Sequence, residues 1–184
     1  MKTYLFMAAA FLSAVSLPAL AQNNQPRNTT VTQAPAAAEG PVRTERTVLD
    51  SWILTCQEVV GDAKSRRCSA TLSIIEEQSK QVAFLWTIGK NAAGAPTAVL
   101  TTPTAINLTS GLELRIGKGA VRKLAYWSCD ANSCEASMPL DEGLLKDART
   151  GEDASATIVM RDGRTVRFSI INKGFERAVA AVRS

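Results

Sequence analysis

From Val48 onward, apolar residues recur at every second position in a series of short runs. Trp52, Leu54 and Cys56 share one face. Cys68, Ala70, Leu72 and Ile74 form the next stripe, followed by Val82, Phe84, Trp86 and Ile88. The pattern continues through Ala98-Val99-Leu100, Leu112-Leu114-Ile116, Leu124-Tyr126 with Trp127, Cys134-Ala136-Met138, Ile158-Met160 and Val166-Phe168-Ile170. A period of two is that of a strand with one face buried. Turn-forming residues separate the runs: Gly61-Asp62, Gly89-Lys90-Asn91, Ser110-Gly111, Asp130 to Ser133, and Asp162-Gly163. About nine short strands in about 125 residues predict an all-β domain, an antiparallel β-sandwich or a barrel-like sheet. Asp162-Gly163, between Ile158-Val159-Met160 and Val166-Arg167-Phe168, is the clearest hairpin turn.

Two short helices interrupt this pattern. Asp141 to Arg149 carries acids at its start and a base at its end, with Gly151 beyond, the charge order that a helix dipole favours. Phe175, Val179 and Val182 stand at helical spacing in a second segment, Phe175 to Val182.

The first 21 residues read as an export signal. Lys2 is the positive start, Leu5 to Leu17 is uncharged and mostly apolar, and Ala19-Leu20-Ala21 supplies the small-x-small cleavage pattern. The apolar run of about 13 residues is shorter than the roughly 20 that span a bilayer. Cleavage before Gln22 leaves no predicted transmembrane segment. Residues 22–46, rich in Gln, Asn, Thr, Ala and Pro, read as a disordered polar tail, because they cannot bury enough surface to offset ordering entropy. Residues 47–184 read as one domain. The predicted location is the periplasm, or a secreted or cell-surface position.

Export makes oxidised cysteines the expectation. Four cysteines allow three pairings. Cys129 and Cys134 flank a four-residue polar loop, and residues closing such a hairpin lie opposite each other on one face. Trp127, Cys129, Cys134, Ala136 and Met138 are then expected to form one stripe. Cys56 and Cys68 flank the loop Gln57 to Arg67, each continuing an apolar alternation. Two local disulfides follow, Cys56–Cys68 and Cys129–Cys134, as structural staples. A C-x4-C pair is neither the C-x-x-C of thioredoxin-like enzymes nor a metal-ligand spacing.

The chain has no histidine. That removes the commonest general base, the Ser-His-Asp and Cys-His machines, and imidazole-dependent zinc sites. Neither a phosphate-binding glycine loop nor an S-x-x-K motif is present. No cofactor, metal site or catalytic residue is expected. Adjacent acids occur at Glu76-Glu77, Asp141-Glu142 and Glu152-Asp153, but neighbours on a strand point to opposite faces. Basic groups occur at Ser65-Arg66-Arg67 and at Arg161, Arg164 and Arg167. A net charge of +4 is too small to imply nucleic acid or an anionic membrane.

Several landmarks share an order with a known family. Asp50-Ser51-Trp52-Ile53-Leu54-Thr55-Cys56 looks like an opening W-x-x-x-C strand, and Arg67-Cys68-Ser69-Ala70 like its second cysteine. Ser110-Gly111-Leu112-Glu113-Leu114-Arg115-Ile116, Tyr126-Trp127-Ser128-Cys129 with Cys134-Glu135-Ala136, Leu144-Leu145 before Gly151, and Lys173-Gly174-Phe175 follow in turn. From about Trp52 to Phe175 the chain resembles the invasion-associated locus B family of exported alphaproteobacterial proteins. The resemblance implies an all-β, disulfide-stapled, periplasmic or surface-exposed protein, in a family with some members linked to host-cell invasion. It carries over no catalytic residue.

The function expected is an exported, non-enzymatic module that binds a protein, glycan or envelope component, with no nucleic-acid partner. The candidate binding residues are Tyr126, Trp127, Asp130 and Asn132. They combine a pinned polar tip with the aromatic types that usually anchor interfaces. The alternative is a periplasmic hydrolase that uses paired acids, as glycosidases do.

Overall fold

Strand alternation survives in the computed structural model, which describes residues 40–151 and 153–184. The predicted export signal, residues 22–39 of the polar tail, and Glu152 lie outside the described residues. Eleven strands, two α-helices and one short 3-10 turn make up the described part. The strands are β1 (Val42–Leu49), β2 (Trp52–Val59), β3 (Asp62–Ile75), β4 (Val82–Lys90), β5 (Pro96–Pro103), β6 (Leu112–Ile116), β7 (Arg122–Leu124), β8 (Tyr126–Cys129), β9 (Ser133–Pro139), β10 (Asp153–Val159) and β11 (Thr165–Ile171). The helices are α1 (Glu142–Thr150) and α2 (Phe175–Arg183).

Two antiparallel sheets result, one of seven strands in the order β1-β2-β3-β4-β5-β9-β8 and one of four in the order β11-β10-β6-β7. They do not close into a barrel, so of the two architectures expected the layered one holds. The chain changes sheet three times, between β5 and β6, between β7 and β8 at Ala125, and between β9 and β10.

The core lies between the sheets. Trp52, Leu72, Phe84, Trp86, Ile88 and Leu100 face Leu112, Leu114, Ile116, Ala156 and Ile158. Phe84 of β4 stacks on Phe168 of β11, ring centroids 5.2 Å apart, and ties the layers together. Leu144 and Leu145 of α1 and Phe175, Ala178, Val179 and Val182 of α2 complete the same core. Each helix therefore contributes one apolar stripe and leaves its charges outside. Asp141, expected as the first helical residue, is the N-cap of α1, its Oδ1 accepting from the Leu144 N–H at 2.6 Å.

The polar tail ends sooner than its composition predicts. Val42 to Arg46 are the first half of β1, not tail. β1 pairs with β2 along its whole length, from Val42↔Val59 to Leu49↔Trp52. This edge strand is held by backbone hydrogen bonds and has solvent beside it, so it needs few apolar side chains. Its Arg43, Glu45 and Arg46 are the kind of charge that discourages uncontrolled edge pairing.

Both predicted disulfides are present, and both join register partners: Cys56 with Cys68 across β2–β3, and Cys129 with Cys134 across β8–β9.

Candidate functional site

The β8–β9 hairpin begins with its tip. Asp130 Oδ1 accepts from the backbone N–H groups of Asn132 and Ser133, each at 2.7 Å, and from Ser133 Oγ at 3.3 Å. The Asp130 N–H donates to the Ser133 carbonyl at 2.9 Å. Those two backbone donors hold the Asp130 carboxyl below the usual carboxylate range. Its oxygen organises the turn, as Asp does in tight turns generally. Asn132 is exposed beside it.

The two aromatics part company. Cys129 opposes Cys134 and Ser128 opposes Glu135, but the next pair is Tyr126 with Ala136. Trp127 is the extra residue of a β-bulge. The bulge gives Tyr126 the inward position opposite buried Ala136, where its hydroxyl accepts from Thr102 Oγ1 at 3.3 Å. Burial pushes the Tyr126 hydroxyl pKa upward. Trp127 is left 64% exposed. The expected stripe of Trp127, Cys129, Cys134, Ala136 and Met138 is therefore corrected: Tyr126 takes the place of Trp127, because strict alternation cannot foresee an inserted residue. Of the four candidate residues, Trp127, Asp130 and Asn132 are exposed, Asp130 ordering the turn, while Tyr126 is half-buried beneath them.

The other charged groups are dispersed. In the β10–β11 turn, Arg164 Nε donates to Asp162 Oδ2 at 2.7 Å. That bond, with the Arg164 N–H, holds the Asp162 carboxyl below its ordinary range. Arg167 reaches instead to Ser155 Oγ at 3.1 Å, so Arg161, Arg164 and Arg167 form no single cluster. Glu76 accepts from Ser79 in the β3–β4 turn, Asp141 caps α1, and Asp153 opens β10. Glu76, Asp141 and Asp153, one from each adjacent pair, thus stand on separate elements. Asp130 and Asp162 are shifted in the wrong direction for a general acid. Among the described residues, no three of His, Cys, Asp and Glu gather in a metal-holding group, and no helix is long and apolar enough to cross a membrane.

A family model described as invasion associated locus B (IalB) protein matches residues 52–183. The chain belongs to the invasion associated locus B family. The match begins at Trp52 and spans both disulfides and both helices. A solved structure of invasion associated protein B from Bartonella henselae has the same fold, with a TM-score of 0.63 and 17% identity. The likeness covers 75% of this chain and 95% of that one. No curated protein matches the sequence. The candidate hairpin lies inside the family match, whereas residues 40–51, which include all of β1, precede it.

Proposed function

We propose that this IalB-family protein is an exported, non-enzymatic interaction module. It acts in the periplasm or at the cell surface, where it binds a protein, glycan or envelope component, and it takes part in contact with a host cell. The observation that carries this reading is Trp127. A large aromatic side chain stands in solvent on an edge strand, beside a turn closed by Cys129–Cys134 and ordered by Asp130. An exposed tryptophan on a pinned hairpin offers apolar contact area with little conformational entropy to lose. Export is supported by the sequence of the first 21 residues and by the disulfide pairing. The host-cell role rests on the family's link to invasion and on the chain's likeness to invasion associated protein B of Bartonella henselae.

The test is capture from two sources, the producer's envelope fraction and host-cell membranes. Wild-type domain and Trp127→Ala are immobilised at equal density, with melting temperature as the folding control. A component retained by wild type and lost with Trp127→Ala supports the reading. Equal retention by both removes Trp127 from the contact.

A further inference from the structure

The end of the large sheet remote from the Asp130 tip carries a second kind of surface. β5 fixes this geometry: its Pro103 end pairs with Ser133 beside the tip, and its Pro96 end pairs with Lys90. There the β2–β3 hairpin runs past the core. Cys56–Cys68 is the last apolar rung, and the next residues on that face are Glu58 and Arg66. Arg66 is committed internally, donating to Glu45 at 3.2 Å and to Glu58 at 3.3 Å.

Beside this network lies a groove of about 700 Å3, within the size range of small-molecule sites. The β2–β3 hairpin, the β4–β5 turn and the last turn of α2 enclose it. Lys64, Arg67 and Lys90 line it, and among the described residues none of the three forms an ion pair with a carboxylate side chain. Arg67 is oriented by donating Nη1 to the carbonyls of Lys64 and Arg66, both at 3.0 Å. Lys90 Nζ gives one bond to the Arg183 carbonyl at 3.2 Å and keeps its other donors. Asn91 uses its oxygen to close its own turn, accepting from Ala93 and Ala95, which leaves its amide NH2 as a donor. Among the described residues no acidic side chain lines the groove. A carboxylate on Ser184 would offset only one of the three cations.

We propose that this groove binds a saccharide bearing several phosphate or sulfate esters. Three cations without acidic partners call for an anion, and their spread over two hairpins calls for more than one anionic group. Among the described residues no aromatic side chain lines the groove, so neither nucleobases nor bare sugar rings find a stacking surface there. Recognition then rests on the esters, with the Asn91 amide as donor to a hydroxyl. The Cys56–Cys68 staple fixes the wall that carries Arg67, which lowers the ordering cost of binding.

The test separates a site from net charge. Titration calorimetry with a heparin hexasaccharide compares oxidised wild-type protein with two triple variants. One is Lys64→Ala/Arg67→Ala/Lys90→Ala. The other is Arg115→Ala/Lys123→Ala/Arg167→Ala, which removes the same charge from exposed positions on the smaller sheet. All six positions are exposed, and a melting curve checks that each variant is folded. The groove variant is expected to weaken binding about tenfold or more, the typical consequence of losing charge-assisted contacts. The control variant is expected to stay within about twofold of wild type, and Lys64→Arg/Lys90→Arg to retain binding. Fructose 1,6-bisphosphate, a saccharide with two phosphate esters, replaces heparin in a second arm to test phosphate against sulfate esters, and either one binding through the groove supports the proposal. Equal losses in the two triple variants, or no loss in the groove variant, overturn it. Inorganic phosphate or a polyglutamate peptide binding the groove as tightly as both ester probes overturns the assignment to an esterified saccharide.

Discussion

Trp52 of β2 and Trp86 of β4 meet edge to face, ring centroids 5.4 Å apart, and Phe175 at the start of α2 lies 5.6 and 5.5 Å from them. This trio docks the second helix onto the inner face of the large sheet. Both tryptophans are fully buried. Replacing either by Ala is expected to cost about 3–5 kcal/mol in denaturant unfolding. Neither indole N–H has a hydrogen-bond partner among the described residues, so Trp86→Phe is expected to cost clearly less than Trp86→Ala. Equal costs for Phe and Ala would show that packing of the ring is not what the site supplies.

The two disulfides are expected to differ in worth. Their closed loops span sequence separations of 12 and 5. By chain entropy the longer loop contributes about 3 kcal/mol and the shorter about 2 kcal/mol. Unfolding curves of Cys56→Ala/Cys68→Ala and Cys129→Ala/Cys134→Ala should fall in that order. The reverse order would place native packing, rather than loop closure, in control.

Gly111 has φ +70°, and a Cβ there would come within 2.6 Å of the Leu124 carbonyl oxygen. Gly111→Ala must therefore strain the backbone and push β7 away from β6. A loss of about 1–3 kcal/mol in thermal unfolding is expected. An unchanged melting temperature would mean that this turn relaxes freely.

Acid should loosen the tip through Asp130. Its pKa is depressed in the fold, by the N–H donors of Asn132 and Ser133. Its stabilising contribution is thus present above the unfolded aspartate value, near 3.9, and disappears as pH falls through the lower folded value. The stability gap between wild type and Asp130→Ala should accordingly be steady at neutral pH and close below about pH 4. A gap that persists at pH 2 would assign the effect to something other than the carboxylate.

Strand faces, turn positions and cysteine pairing were legible because period two and hairpin parity are local rules. Asp162-Gly163 illustrates this: Gly163 takes φ +87° in the turn joining β10 to β11. What escaped depends on distant partners. β1 is held by its neighbour β2, so Arg43 and Glu45 gave no apolar signal of a strand. Trp127 followed the expected parity until the bulge displaced it. Gly151 stands where a helix stop was expected, yet its φ is −166°, and a Cβ there would sit 2.8 Å from Gly117 Cα. Close approach of two backbones, rather than a left-handed turn, requires that glycine. The groove was invisible for the same reason, since Lys64 and Lys90 come together only across β3 and β4.

The central claim is that the Trp127 edge is a contact surface. The most direct measurement places a photoreactive phenylalanine analogue at position 127, and at exposed Lys146 of α1 as control, in the producing cells with and without host cells. Irradiation is expected to give a discrete adduct from position 127 that excess unlabelled wild-type protein competes away, and none from position 146. The same adducts from both positions, or none from either, would contradict the account.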